Sequence, residues 1–332
     1  MAKKNERNIL FLDFHLNTKT TTPKLNGLPN HFELTELFEK LVAYREKKSV
    51  NIVIGTKEKK ELYLADIEHD IQSGTWQLLI NIVDTSLADE VHRKIGGAAS
   101  TRKVHSKTDD VGTEFSCHMV IQDTLSGRSY LALYEQNINL PVKLITRYLN
   151  ELFKRIAKEF KTDFEIPHPQ HKTDAKGNVK TINTYHHGFF NGHLSSEFKD
   201  DLDGGAFKGV TLMTGDLKQV DGYDVQKHSE LKEIQIPLTV DKGAILKAGG
   251  NHKWIDYVRK NTAKDLNMQE IKVSFKDDGN VSHTAEIDVT TGKLINNDKY
   301  VKKVKIIGFN EPLTTSVDLL HAPIVSKMLE HL

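Results

Sequence analysis

The chain reads FSCHMVIQDTLSGRSYLALYEQ over residues 115–136 and PVKLITRYLNELFKRIAKEFK over residues 141–161. The change of period between the two stretches decides the fold class. The first holds two runs rich in β-branched and aromatic residues, 115–123 and 129–135, around Ser126-Gly127, which predicts an antiparallel hairpin. In the second, Val142, Ile145, Leu149, Leu152, Ile156 and Phe160 recur at helical spacing and make one apolar stripe. A hairpin followed by an amphipathic helix predicts an α+β protein with mostly antiparallel sheets.

On the helix, Lys143, Arg147, Lys154, Lys158 and Lys161 fall opposite the apolar stripe. A helix that buries one side and lines the other with cations can follow a row of phosphates. The same pattern also suits an outer face that is simply solvated.

Working outward, residues 8–16 read as a strand and 32–48 as a helix with Leu34, Leu37, Phe38 and Leu41 inward. Residues 49–55 and 61–67 read as strands joined by a charged turn at 57–60, and 76–83 (WQLLINIV) as a further strand. Residues 87–95 are expected as a short helix. Residues 96–112 carry almost no large apolar side chain and are expected as a mobile loop presenting Arg102, Lys103 and Lys107.

The first domain is therefore expected over 1–160. Residues 161–206 are polar, histidine-rich and interrupted by Pro167 and Pro169, and are expected as a linker or insertion. A second α+β domain is expected over 207–332. It has strands at 209–213, 233–240, 270–275, 284–289 and 301–309, a helix over 252–266 capped by Asn251, and a closing helix over 315–332. Lys247, Lys253 and Lys260 form its cationic patch.

With 332 residues, the length also suggests about two domains. The 46 Lys and Arg almost balance the 45 Asp and Glu, so any affinity for nucleic acid requires the positive charge to be segregated on one surface. Nothing approaches the run of about 18 apolar residues that a membrane helix needs. The start, MAKKNERNILFLDF, has no secretory h-region. The single Cys117 excludes an intramolecular disulfide and a thiolate-rich zinc site, and a cytoplasmic location is expected. As neighbours in a strand, Cys117 and His118 point to opposite faces, so Cys117 reads as a core residue and not half of a Cys–His dyad.

No catalytic motif of fixed spacing is present. His186, His187 and His193, with Asp200, Asp201 and Asp203 close behind, invite a metal-dependent hydrolase or nuclease, but in no fixed ligand spacing. The glycine pairs match no phosphate-loop pattern. Gly249-Gly250-Asn251 can still offer backbone N–H groups to a phosphate at a helix start.

Two segments also carry a resemblance. The order of elements in the first domain, through DTSLADEVHRKI and FSCHMVIQDTLSGRSYLALYEQ, resembles the RexA phage exclusion proteins of lambdoid phages. More loosely it resembles the Kiwa defence protein KwaB. EIQIPLTVDKGAILKAGGNHKWIDYVRKNTAKDLNMQEIKVSF, a strand, helix and strand, resembles RexA as well. The resemblance implies a homodimer that binds double-stranded DNA without strong sequence preference and acts in phage exclusion or antiviral defence. It brings no binding residue across one by one. The expected DNA-contacting set, Arg102, Lys103, Lys107, Lys143, Arg147, Lys154, Lys158, Lys247, Lys253 and Lys260, is therefore electrostatic, with no cofactor. A protein–protein adaptor with a partner in a defence complex is the remaining expectation.

Overall fold

The computed structural model describes residues 4–20, 28, 31–55, 60–108, 110–126, 129–169, 173, 176–204, 206–214, 234–239, 242–276, 282–295 and 300–332. The elements in chain order are β1 (Glu6–Thr20), α1 (Leu34–Lys47), β2 (Ile52–Ile54), β3 (Lys60–Asp70), β4 (Thr75–Asp84), β5 (Glu90–His92), β6 (Lys103–His105), β7 (Thr113–Ser126) and β8 (Ser129–Glu135). They continue with α2 (Val142–Glu159), β9 (Glu165–Pro167), β10 (Thr181–Gly192), α3 (Ser196–Gly204), β11 (Ala206–Thr214), β12 (Ile234–Leu238) and α4 (Lys242–Ala248). The last are α5 (Asn251–Val258), β13 (Glu270–Lys276), β14 (Ser282–Asp288), β15 (Lys303–Ile307) and α6 (Ala322–Leu329). The class is α+β, with antiparallel sheets.

The chain divides into two compact units, one of residues 1–9, 14–190 and 304–332, the other of residues 10–13 and 191–303. The large sheet runs β2-β3-β4-β7-β8-β1-β10-β9, with β15 also paired to β1.

In the first unit the alternation along β4 assigns the two faces. Trp76 meets Phe38 edge to face, with ring centroids 5.4 Å apart, and its Nε1–H donates to Thr35, so its side of the sheet carries α1. Register places Cys117 opposite Ile80 on this side, buried in the core. Burial pushes its thiol well above the ordinary range, so it is inert. On the other side Asn81 lies opposite Ser116, and Leu79 opposite His118. There the Asn81 amide donates to the carbonyl of Val317, so an extended strap, residues 313–321, covers that face.

α2 forms because its apolar positions fall three and four apart after Pro141, whose fixed φ of −61° suits a helix start. Ile145, Leu149, Leu152, Phe153 and Ile156 are buried. Asn150 pairs its side-chain amide with both the N–H and the carbonyl of Gly188, each at 2.7 Å. Gly188 is required by space, because a Cβ there would stand 2.5 Å from the buried Phe14 ring. Gly188→Ala is expected to cost about 1–3 kcal/mol through overpacking. Urea denaturation measures this, and a midpoint unchanged from that of the parent would show that Phe14 yields freely.

The second unit is built on the sheet β12-β11-β13-β14. Phe198, Leu202, Trp254, Ile255 and Val258 from α3 and α5 join Val210, Leu212, Ile271, Val273 and Phe275 from the sheet in one core.

Several expectations change. Residues 161–206 do not form a linker: they contain β9, β10 and α3, because Thr184, His186, Gly188 and Asn191 are buried despite their polarity. Residues 304–332 group with the first unit and not with the second. Residues 87–95 hold strand β5, paired with β6 from the stretch expected as a loop.

The helix expected over 315–332 spans only Ala322–Leu329 and starts with a proline in its first turn. Asn251 is the first helical residue of α5 and not its cap, and a π turn, Arg259–Ala263, follows Val258. Of the expected turns, Gly127 and residues 57–59 lie outside the described residues, as do both ends of the strand expected over 233–240.

Candidate nucleic-acid interface

Lys143, Arg147, Lys154 and Lys158 are all exposed on α2. At 100° per residue they fall within about 60° of one another around the axis and extend over about 22 Å. None of the four is in an ion pair among the described residues. Arg155, by contrast, is turned to Glu151 and to the carbonyl of Asn51, and Lys161 to Glu165. His187 on β10 feels this charge: burial first, then Lys19 and Lys154, hold its imidazole below the usual histidine range. β1 and β10 thus bring Lys19 and His187 to the side of Lys154.

The other expected cations divide. Arg102 and Lys103 are exposed beside and on β6. Lys107 is anchored: its ammonium donates to the Ala88 carbonyl at 3.2 Å and to Thr113, and its N–H to Asp89 at 3.1 Å. In the second unit Lys247 and Lys253 are exposed, whereas the Lys260 ammonium lies 2.5 Å from Asp256. Burial pushes the Asp256 carboxyl up, but Lys260 and Arg259 outweigh it and hold the group below the usual carboxylate range.

The Gly249-Gly250 turn is not an open anion site. Both glycine N–H groups donate to the carbonyl of Ile245, and the His252 N–H at the start of α5 donates to Asp203 at 3.0 Å. A carboxylate of the chain itself already occupies the helix N-terminus.

The histidine-rich stretch is not gathered into a ligand set. His186 Nε2 accepts from the Phe32 N–H at 3.2 Å, while His193 Nδ1 lies 3.1 Å from the buried Asp13 carboxylate, which Lys293 also meets at 3.0 Å. Asp201 accepts from the Tyr300 hydroxyl at 3.1 Å, Asp203 caps α5, and Asp200 is exposed. Among the described residues no group of three or more His, Cys, Asp or Glu side chains is placed to hold a metal ion.

One cluster was not anticipated from the sequence. Arg7 on β1, Glu135 on β8 and His118 on β7 are buried together beneath the strap. The Arg7 Nε–H donates to Glu135 at 2.6 Å, and His118 meets the other carboxylate oxygen through its Nδ1 at 2.6 Å and its N–H at 3.0 Å. The available signal was charge within otherwise apolar strands, Arg7 at the head of RNILFLDF and Glu135 at the end of SYLALYE. No family model matches the chain, and no curated protein or solved structure matches it either.

Proposed function

We propose that this protein binds double-stranded DNA without strong sequence preference, gripping the phosphate backbone through the outer face of α2. The observation that carries the reading is the row Lys143, Arg147, Lys154 and Lys158, exposed along one face without ion pairs among the described residues. Side chains of this kind contribute counterion release and little base readout. Arg102 and Lys103 extend the cationic surface in the first unit, and Lys247 and Lys253 form a smaller one in the second. Lys107 and Lys260 are engaged internally and contribute less. No helix among the described residues is long and apolar enough to cross a membrane. The resemblance to RexA supports a cytoplasmic homodimer acting with a partner in phage exclusion or antiviral defence, each unit being a domain.

Binding of a fluorescent duplex over a salt series tests the reading. Four phosphate contacts give a slope of log affinity against log salt of about −3.6. Lys154→Glu with Lys158→Glu is expected to weaken binding of every duplex by at least about tenfold and to flatten the slope by about 2. Unchanged affinity and slope in that double variant would remove α2 from the interface.

A further inference from the structure

The strap over the polar face of the first sheet is held by its backbone. The Arg7 guanidinium donates to the Thr314 carbonyl at 2.8 Å, the Ser116 N–H to the Thr315 carbonyl at 3.0 Å, and the Asn81 amide to the Val317 carbonyl at 2.9 Å. In return the Val317 N–H donates to the Ser116 hydroxyl at 2.9 Å, the Leu320 N–H to Asp66 at 3.1 Å, and the His321 N–H to His118 Nε2 at 3.0 Å. No residue from 311 to 321 is fully buried, and Leu319 is 69% exposed. Hydrogen bonds and not apolar burial therefore fasten the strap, which places it at the low end of local stability.

Its last fastening joins two histidines. His118 gives its Nδ1–H to Glu135, so Nε2 carries the lone pair that accepts the His321 N–H, inside a site that is 1% exposed at His118. The acid-sensitive group at this place is His321. It is the cap residue of α6, whose first bonds run from Ile324 and Val325 N–H to its carbonyl. An imidazolium there meets the positive end of the helix dipole. Its Nδ1 is buried without a hydrogen-bond partner among the described residues. Burial, His118 and Arg7 depress its pKa, partly offset by Glu135 and Glu311. The charged groups that act on His321 are Arg7 from β1, Glu135 from β8 and Glu311, which precedes the strap, while Asp66 from β3 holds the neighbouring Leu320 N–H.

We propose that residues 313–321 form an acid-released latch: an imidazolium at His321, set against the start of α6 and against Arg7, is expelled from its place, and the strap lifts from the Arg7–Glu135–His118 cluster together with the first turn of α6. The inference does not depend on the nucleic-acid reading. It differs from general acid unfolding because only the latch amides respond.

Amide hydrogen exchange of the full chain, corrected for intrinsic rates, at pH 7.5 and pH 5.0 tests it. Protection at Val317, Leu320 and His321 is expected to fall by about tenfold more than at Leu149 and Leu152 in α2, which report global opening. His321→Asn, a good cap at a half-buried position with no proton to take up, is expected to abolish this excess. His321→Ser, a smaller cap, is expected to do the same, and it carries the test if the first variant does not fold. Equal loss of protection in latch and α2, or an excess that persists in both variants, overturns the proposal.

Discussion

Replacing Glu135 by glutamine is expected to destabilise the protein by about 3–5 kcal/mol, the usual cost of removing one partner from a buried ion pair. Burial pushes the Glu135 carboxyl up, but the hydrogen bonds from His118, and then the charge of Arg7, reverse this, so the group is ionised. Its oxygens accept from Arg7 Nε, His118 Nδ1 and the His118 N–H. Glutamine has one oxygen where the carboxylate had two, so its amide must turn a donor toward at least one of these donors. The substitution also takes the Glu135 charge away from Arg7, itself 6% exposed. Arg7 donates as well to the carbonyls of Glu6 and Thr314. Arg7→Met removes the cation that Glu135 faces. Combined with Glu135→Gln it is therefore expected to cost less than the sum of the two single changes, by about 1–3 kcal/mol. Urea denaturation of the four proteins provides the cycle. Additive losses, or a Glu135→Gln cost below about 1 kcal/mol, would mean that water reaches the pair and screens it.

That cluster also marks where sequence reading ends. The hairpin and α2 were legible because apolar period and element boundaries coincide. Of the stripe, Ile145, Leu149, Leu152 and Ile156 are buried and Val142 and Phe160 half-buried, Tyr148 and Phe153 are buried beside it, and the four cations face outward. The Arg7–Glu135 pair spans 128 positions of sequence, and a charged residue near a strand end reads as solvated until its partner is seen. β10 was missed for a related reason. TINTYHHGFFNG is polar by composition, yet Phe14, Phe153 and Asn150 give its glycine and backbone a buried place.

The helix expected through residue 266 is continuous in pattern only up to Val258. The next buried position is Ala263, five residues on, and the chain absorbs the extra residue as a π turn in which the Asn261 side chain donates to the Tyr257 carbonyl. Within the candidate site, exposure on a helix face could be read from the sequence. The internal engagement of Lys107 and Lys260 could not, because it depends on which carboxylates and carbonyls the fold brings within reach.

Acidification from pH 7.5 to 4.5 is expected to remove about 2.5 kcal/mol of stability through His186 alone. The side chain is fully buried on β10 between the rings of Phe32 and Phe164, at centroid distances of 5.7 and 5.8 Å. Burial, and then the neighbouring His31, push its pKa down to about 4, against an ordinary value of 6.5. In the folded chain it therefore stays neutral where the unfolded chain has already taken up a proton. The unfolded state binds more protons between pH 6.5 and 4, so stability falls as the pH falls through that window and levels off for this group below it. At 1.36 kcal/mol per unit, the roughly two units of this window crossed by pH 4.5 correspond to the stated loss.

His187 and His321, both depressed, add in the same direction. The depressed carboxylates Asp13 and Glu135 lose their contribution only below the ordinary carboxylate range. His186→Leu tests the assignment. At pH 7.5 the variant is expected to be less stable by about 1 kcal/mol or more, because the Phe32 N–H loses its acceptor. At pH 4.5 the order is expected to reverse, because leucine has no proton to take up. Urea titrations at the two pH values decide the matter. If the variant loses as much stability on acidification as the parent, His186 is hydrated in solution and the acid sensitivity lies elsewhere.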